Sequence, residues 1–494
     1  MHTLRVKLYV NKFNKAFLDK VFFIAYKMYI QTTKYAQKQL RLLSKNKRYK
    51  YLKHLYALNI NDKNKLKEIT KELNEIVSSY NISANDLEKY IKVQQHKYKK
   101  YITSHQAQKI AKFISQNVDK VLYGNGKTLH IKKYVEFNTI SQKNTTNGIK
   151  FFNDHIEFMN INIPIKYSNN FKDQMYILEA MNHTLKYCEL KRIEFNNGFD
   201  YYINLVYDGE APNKITKGKN TYGIDPGVST IASVSDTKCT LRELAPKCKD
   251  YNKKISKLQK QIDKSIRTTN PNKFNEDGTL KKGNKDRFFY TKHCKYLKRK
   301  LRVLYRKKKS YTKCTHLNLI NELLNNTKSV NIEDMNYKAL AKKSKNTEKQ
   351  ETKTKIKQKD GTVKEVQKYK KKKRFGKSIN DRSPGLFIKL LETKCNKYNI
   401  EFNKINTKKV KASKYNHIIN KYEEHKLSER TKLIGTSLVQ RDLYSAYIIK
   451  NVKKDLESLN KSKLKKDFKK FLEMQEEEIN NIKRKSIKNK NFGF

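Results

Sequence analysis

Electric charge is the sequence feature that most constrains this chain. Its 494 residues include 111 lysines and arginines against 47 aspartates and glutamates, which gives a net charge of +64. A compact body with this charge repels itself unless a polyanion lies against it. A membrane-surface protein would concentrate its bases on one amphipathic face, whereas here the excess runs along the whole chain. The charge therefore predicts a nucleic-acid partner and no membrane partner.

The cysteines and the start of the chain indicate where the protein works. None of the six cysteines forms a C-x-x-C pair or stands at zinc-ligand spacing from a histidine. The first residues contain no apolar signal core, and the apolar stretch 21–29 is too short to span a bilayer. We therefore expect a cytoplasmic, nucleoid-associated protein with reduced thiols.

The N-terminal part changes its hydrophobic period twice. Residues 4–10 alternate apolar and polar side chains, which predicts a strand, and helical spacing then continues to about residue 120. Strand patterns return near Gly124, and Asn197-Gly198 separates two of them as a hairpin turn would. We therefore predict a β-barrel-like (wedge) module from residues 1–12 and 124–215, with a helical recognition insert at 13–123.

A pair of helical patterns in the second half is strongly basic. Apolar residues at helical spacing predict helices around Ile255 and Leu301, which form a basic helical hairpin at 251–325. The sequence has no acid between Arg287 and Glu322, although lysine and arginine are dense there. A basic face without acidic relief must lie against anions or suffer repulsion. The predicted nucleic-acid contacts on this hairpin are Lys298, Arg299, Lys300, Arg302, Arg306, Lys307 and Lys308.

Two further basic segments lie outside these patterns. Residues 341–374 are a low-complexity insert, inside which Asp360-Gly361 predicts a hairpin turn between Ile356 and Val366. Residues 456–494 predict a basic C-terminal tail that begins as an amphipathic helix.

Three acids stand where strands end or a helix begins. Asp225 precedes a Pro-Gly turn, Glu333 ends a strand pattern, and Asp442 opens a helix. Taken singly, they are a common turn residue, a solvated carboxylate and an acid favoured by the helix dipole. Two-metal phosphodiester cleavage needs carboxylates on rigid elements, because magnesium prefers hard oxygen ligands. The acids are separated by 108 and 109 residues, so only tertiary folding can bring them together.

The residues around these acids resemble a known set of motifs. Three segments resemble the three split motifs of a RuvC nuclease. They are Gly223-Ile224-Asp225-Pro226-Gly227, Ile332-Glu333-Asp334-Met335, and Arg441-Asp442-Leu443-Tyr444 with the residues to 449. Their order is similar to that in the TnpB family, the transposon-encoded RNA-guided DNA endonucleases related to type V CRISPR effectors. The segment 374–385 also resembles the family sequence between the second and third motifs. The specific match covers about residues 220–450, and the N-terminal half matches only in layout.

The resemblance implies an α+β multidomain protein whose RNase H-like (RuvC) α/β nuclease domain has helical insertions and is split over 216–250, 326–340 and 375–455. It implies that Asp225 bridges two Mg²⁺ ions, for which Mn²⁺ can substitute, and that Glu333 and Asp442 complete their ligands. Glu333 matches the family position, and Asp334 would point off the other face of the strand. The implied partners are a transposon-derived guide RNA and double-stranded target DNA, with the N-terminal module reading a short flanking motif. Further implied nucleic-acid contacts are Arg374, Lys377, Ser378 and Asn380.

One departure from the family lies just before Asp442. Most relatives have a four-cysteine zinc ribbon there, whereas this chain has no cysteine between Ile405 and Arg441. His417 and His425 alone do not make a structural zinc site, so we predict no zinc. The segment must then be held by packing, and the candidate residues are Tyr415, Ile418, Ile419, Tyr422 and Leu427.

These observations predict a metal-dependent, RNA-guided DNA endonuclease associated with a transposon. Three alternatives stay open: a nuclease-inactive RNA-guided DNA-binding repressor, a guide-independent transposase or resolvase of the same fold, and a structural RNA-binding protein. The presence of all three acids favours the enzyme over the repressor. A structural protein would explain the charge but not the three motifs.

Overall fold

A computed structural model describes residues 1–59, 61–124, 126–212, 215–281, 283, 286–341, 349–357, 363–369, 375–424, 429–486 and 492–493. The chain divides into two units, Met1–Asn213 and Lys214–Phe494, each with its own hydrophobic core. The mixed α/β, multidomain class that the sequence predicts is therefore confirmed. Within the described residues, no helix is both long and apolar enough to cross a membrane.

The first unit joins a helical block to an antiparallel sheet. Its elements are β1 (His2–Leu8), α1 (Lys12–Leu43), α2 (Lys47–Leu58), α3 (Lys63–Ser79), α4 (Ala84–Lys97), α5 (Ser104–Leu122), β2 (Thr139–Ser141), β3 (Lys150–Phe151), β4 (His155–Phe158), β5 (Ile161–Lys166), α6 (Phe171–Met181), β6 (Leu185–Phe195) and β7 (Gly198–Tyr207). The side chains of β1 alternate strictly between buried and exposed, which is the pattern of a strand with one face on the core. Helices α1 to α5 are inserted between β1 and β2 and share one core with the sheet.

The sheet of the first unit is open among the described strands. Its strand order is β2-β6-β7-β1-β5-β4-β3, and no described pairing joins β2 to β3. The described strands form a seven-stranded antiparallel sheet whose edge strands have three and two residues, and the barrel-like shape of the module stays a prediction. The predicted hairpin is confirmed: β6 and β7 pair antiparallel, and Gly198 takes a φ of +134°, which favours glycine.

The second unit is built on a mixed sheet. Its elements are β8 (Lys217–Pro226), β9 (Thr230–Val234), β10 (Cys239–Glu243), α7 (Cys248–Thr269), α8 (Lys292–Leu324), β11 (Thr327–Glu333), α9 (Tyr337–Ala341), β12 (Lys349–Lys357), β13 (Val363–Tyr369), α10 (Gly376–Arg382), α11 (Pro384–Lys397), β14 (Glu401–Ile405), α12 (Thr407–Val410), β15 (Tyr415–Asn416), β16 (Lys421–Tyr422), β17 (Thr431–Ile434), β18 (Ser437–Gln440), α13 (Arg441–Lys450) and α14 (Lys461–Arg484). The strand order is β10-β9-β8-β11-β14, with β8, β11 and β14 parallel and β9 antiparallel to β8 and β10.

Helices cover both faces of this sheet. Ile224, Val330 and Ile332 share a core with α8 and α11, whereas Ala232 and Val234 share one with α13 and α14. Both faces of the central strands are thus buried, as is usual for parallel strands.

Helix α14 belongs to the core of the second unit. Its Phe471 is fully buried, Gln475 accepts a hydrogen bond from the backbone of Gln440, and Glu478 accepts one from the backbone of Leu241. The predicted amphipathic helix is therefore confirmed, and its apolar stripe packs against α13 and β10.

The basic insert contains a hairpin. Strands β12 and β13 pair antiparallel with Thr354 opposite Val366. This agrees with the hairpin that the sequence predicts, although the turn residues Asp360 and Gly361 lie outside the described residues.

Candidate active site

Two of the three predicted acids lie side by side at the carboxyl ends of neighbouring parallel strands. The register of β8 and β11 pairs Ile224 with Ile332, so Asp225 and Glu333 each come one residue later. Ile224 and Ile332 face the core formed with α8 and α11. Because successive side chains on a strand alternate faces, Asp225 and Glu333 point to the opposite face, which α13 covers. Asp334, which follows the end of β11, is exposed.

Helix α13 brings the third acid to this face. Its first turn contains Asp442, and the side chain of Gln440 caps the helix by accepting a hydrogen bond from the backbone N–H of Leu443 at 2.7 Å. The helix packs directly on β8 at Gly223, where a Cβ would lie 2.1 Å from the carbonyl oxygen of Ala446. This close approach needs glycine, and it brings the helix that carries Asp442 against the strand that carries Asp225.

The three carboxylates influence one another electrostatically. Burial raises the pKa of the Asp225 carboxyl well above its ordinary value, and the negative charges of Glu333 and Asp442 raise it further. Burial also raises the pKa of Glu333. Asp225 as a whole residue is only partly buried. Folding therefore gathers like charges in a poorly hydrated place, which is unfavourable unless a positive group joins them.

Two arginines and a serine surround the acids. The guanidinium of Arg441 lies 3.1 Å from Asp442, and that of Arg430 lies 3.5 Å from it. Ser445, one turn after Asp442, lies close enough to favour the charged form of Asp225. Among the described residues, however, the buried hydroxyl of Ser445 has no hydrogen-bond partner with good geometry. Its interaction with Asp225 is therefore weak. Sequence reasoning assigned no role to these residues, since nothing local distinguishes them.

Tyr337 closes the site from the side of α9. Its hydroxyl donates a hydrogen bond to the carbonyl oxygen of Pro226 at 2.8 Å, directly after Asp225. Burial raises the pKa of Tyr337, and the charges of Asp225 and Glu333 add to this rise. The residue links the chain just beyond Glu333 to the turn that carries Asp225. It was also missed by sequence reasoning, because its role depends on a contact 111 residues away.

The chemistry of the three acids fits divalent cations. Carboxylate oxygens are the ligands that magnesium prefers, and a cation would relieve both the burial and the mutual repulsion of these groups. In the part of the chain that the structure describes, no group of three His, Cys, Asp or Glu side chains is already arranged around a single metal position. Metal binding by these three acids therefore stays a prediction.

The predicted basic contacts fall into different settings. The ammonium of Lys308 bonds to Asp381 at 2.7 Å and to Asn252 at 2.8 Å, so it ties α8 to α10. Its contact with nucleic acid stays a prediction. Lys298 and Lys300 lie over the rings of Tyr290 and Tyr296. Among the other predicted contacts, four are exposed: Arg302, Lys307, Lys377 and Asn380. Arg302 also makes further contacts. Three are partly buried, namely Arg299, Arg306 and Ser378, and Arg374 lies outside the described residues.

The cysteine-free segment before Asp442 packs differently from the prediction. Tyr415 is buried as predicted, but Ile418, Ile419 and Tyr422 are 45%, 51% and 52% exposed, so those predictions are wrong. The isoleucines lie in the turn between β15 and β16, where side chains project outward. His425 and Leu427 lie outside the described residues.

His417 takes the inward place in this segment. It is 4% exposed, its backbone N–H donates to the hydroxyl oxygen of Tyr444, and its ring Nδ1 lies 2.7 Å from the same oxygen. Its ring also packs against Phe468, with 4.5 Å between centroids. Aromatic packing thus links this segment to α13 and α14. The prediction that the segment holds no zinc stays a prediction.

The chain is similar to two solved structures. No protein-family model and no curated protein matches the chain. A chain of a cryo-EM structure of the Cas12f1–sgRNA–target DNA complex matches with 13% sequence identity and a TM-score of 0.43, over 91% of this chain and 98% of that chain. A chain of a CRISPR-Cas12f ternary complex matches with 13% identity and a TM-score of 0.24, over 92% and 99%. At these TM-scores the likenesses decide nothing about function, which must be argued from the site.

Proposed function

We propose that this chain is an RNA-guided DNA endonuclease that hydrolyses phosphodiester bonds at Asp225, Glu333 and Asp442. The observation that carries the proposal is that Asp225 and Glu333 lie at the ends of neighbouring parallel strands, and that the charges of Glu333 and Asp442 both raise the pKa of Asp225. Three separate elements, β8, β11 and α13, supply one acid each. Clusters of carboxylates that raise one another's pKa are typical of functional sites.

The residues of the chain have distinct parts in this reaction. Asp225, Glu333 and Asp442 would hold divalent cations, which when bound supply a nucleophilic hydroxide and stabilise charge on the leaving oxygen. Gly223 lets α13 approach β8, and this contact sets the separation of Asp442 and Asp225. Tyr337 holds the turn after Asp225 through Pro226. Arg430 and Arg441 orient and partly neutralise the carboxylate of Asp442.

The choice of nucleic acid as substrate follows from charge. A net charge of +64 attracts a polyanion and favours sequence-independent contact with phosphates. Lysine, which dominates this excess, acts as a point charge, whereas reading bases favours bidentate arginine. Delegating sequence recognition to a guide RNA suits such a protein. The guide RNA, the DNA target and the transposon association are supported by the order of the three motifs.

Charge-neutral substitutions of the acids test the proposal. Asp225→Asn and Glu333→Gln keep the size of each side chain but remove a ligand charge, and each should lower Mg²⁺-dependent DNA cleavage by more than about 100-fold, since even misplacement by an ångström costs about that much. Asp334→Asn is the matched control, because it removes an exposed charge from the residue next to Glu333. Equal cleavage by Glu333→Gln and Asp334→Asn would refute the assignment.

Two further measurements separate the alternatives. Loss of plasmid cleavage after RNase treatment of the purified protein, with recovery on adding back the co-purified RNA, is expected for guided cutting. Cleavage that survives RNase would point to a guide-independent transposase or resolvase. RNA-dependent DNA binding without cleavage in Mg²⁺ or Mn²⁺ would point to an inactive repressor.

A further inference from the structure

A basic trough lies between α7 and α10. It has a cavity volume of about 890 Å³. Its lining contains six bases and one acid, a net of five positive charges, and no aromatic side chain. We call it the α7–α10 trough, and it is lined by Lys249, Asn252, Lys253, Ser256, Lys257, Lys260, Lys377, Ser378, Asp381 and Arg382.

Most of the lysines of the trough have no acidic partner. Among the described residues, no ion pair involves Lys253, Lys257, Lys260 or Lys377, and the first three are exposed on α7. The acid of the trough is already used, because Asp381 accepts from Lys308 and from Asn252 at 2.7 Å each. These lysines therefore repel one another across a concave surface, which an anionic ligand would relieve.

The walls of the trough are held in place from behind. Arg382 on α10 donates to Glu243 at the end of β10, and both side chains are 10% exposed. Asp381 on α10 pairs with Lys308 on α8, with 17% and 15% exposure. Partly buried ion pairs that are also hydrogen-bonded fix geometry more firmly than surface pairs do. The unpaired lysines thus project from a prearranged frame.

Four lysines of α7 form a row along the trough. Lys249, Lys253, Lys257 and Lys260 follow one another at intervals of four, four and three residues, so they share one face of the helix. At about 1.5 Å of rise per residue they span roughly 16 Å. The other face of α7 packs through Ile262 against Cys294 and Leu297 of α8.

The trough adjoins the candidate active site through α9. Gly376, at the start of α10, lies against Ala341 at the end of α9, where an added Cβ would meet the Ala341 carbonyl oxygen at 3.4 Å. At its other end, α9 begins with Tyr337, which bonds to the turn after Asp225. One short helix therefore separates the trough from the three acids.

We propose that the α7–α10 trough holds the sugar–phosphate backbone of a single DNA strand that leads to the three acids. The identity of the ligand as nucleic acid rests on the proposed function. The volume of the trough lies in the range of small-ligand pockets, which favours one strand over a duplex. With lysines but no aromatic side chains in its lining, the trough contacts phosphates and does not stack bases. Its binding is therefore independent of base sequence.

Paired substitutions on one helix test this proposal. Lys253→Gln/Lys257→Gln removes two trough lysines, and Lys254→Gln/Lys264→Gln removes two lysines of the same helix that do not line the trough. The probe is a fluorescein-labelled oligothymidylate, titrated by fluorescence anisotropy in EDTA over a range of salt. Loss of two contacts should lower the slope of log K against log salt by about 1.4 and weaken binding about tenfold near physiological salt, because each single-strand contact contributes about 0.7. The control pair should change both values little.

The outcomes decide the proposal independently of cleavage. Equal effects of the two pairs would overturn it, since the lysines would then act only through net charge. A loss confined to a duplex probe, with a slope change of about 1.8, would overturn the assignment to a single strand. The titration needs no catalysis, so strand binding in the trough is measurable even in a protein that fails to cut DNA. Thermal unfolding of both pairs, whose lysines are all exposed, confirms that the fold is intact.

Discussion

Replacing Gly223 with alanine would test whether the packing of α13 on β8 sets the candidate active site. The added Cβ would lie 2.1 Å from the carbonyl oxygen of Ala446 and 2.3 Å from the backbone nitrogen of Lys450. Both are backbone atoms of α13, so no side-chain rotation can relieve the overlap. Since such contacts essentially never fall below 3.0 Å, the helix and the strand must separate by at least about 0.9 Å.

This displacement has two measurable consequences. Overpacking of this kind costs about 1–3 kcal/mol of stability, which lowers the thermal midpoint by roughly 2–12 °C for a unit of this size. Asp442 moves with α13 while Asp225 stays on β8, so the acids lose their relative placement. Misplacement by about an ångström lowers a rate by about 100-fold. We therefore expect Gly223→Ala to lose cleavage far more than it loses stability.

The assay compares Mg²⁺-dependent plasmid cleavage, oligothymidylate binding in EDTA and thermal unfolding for each variant. Gly385→Ala is the control, because its Cβ would make an ordinary contact of 3.6 Å with the ring of Tyr337. It should keep cleavage and stability near those of the parent chain. If Gly223→Ala fails to fold, the milder Ser445→Ala, one turn after Asp442 on α13, provides the activity comparison. A Gly223→Ala protein with unchanged cleavage and midpoint would refute the claim that this contact positions the acids.

The remaining predictions concern Tyr337 and His417. Tyr337→Phe keeps the ring but removes the hydrogen bond to Pro226, so we expect about 0.5–1.5 kcal/mol lower stability and a higher Mg²⁺ midpoint for cleavage. The control Tyr305→Phe removes an exposed hydroxyl from α8 and should change neither value. Equal behaviour of the two variants would contradict the positioning role of Tyr337. Burial lowers the pKa of His417 from 6.5 to about 4, with the charges of Lys432 and Lys465 adding to the shift, so the ring is neutral in the fold. Between pH 6.5 and about pH 4, the unfolded chain therefore protonates His417 and the folded chain does not. The stability that is present above pH 6.5 is lost as the pH falls toward 4. The free energy of unfolding should fall by about 1–2 kcal/mol between pH 7 and about pH 5 because of His417. His417→Gln should abolish this loss. An unchanged dependence of stability on pH in that variant would contradict the prediction.

Local patterns in the sequence were enough to predict several elements. The alternation of Leu4, Val6 and Leu8 predicts β1 because one face of a strand must be apolar to meet the core. The hairpin at Gly198 is predictable because its turn requires a positive φ. The lysines of the α7–α10 trough were detectable in principle, since their spacing follows the helical period. Such features depend on neighbours within a few residues, whose interactions a linear sequence displays directly.

Other features depend on packing between distant parts of the chain. Lys308 reads as one more exposed base, yet it pairs inward with Asp381, 73 residues away. Helix α14 reads as a tail, yet it completes the core beside α13. Exposed Ile418 and buried His417 reverse the expectation from hydropathy, because a two-residue strand and its turn decide which side chain points inward.

The sequence alone determined the types and order of the acids, the excess of positive charge and the period of the major helices and strands. Only the tertiary structure decided that Asp225 and Glu333 share the face of the sheet that α13 covers, and that Gly223 lets Asp442 approach them. The physical reason is that charge and periodicity are properties of short stretches of chain. By contrast, the negative charges of Glu333 and Asp442 act on Asp225 only when elements more than 100 residues apart are packed together.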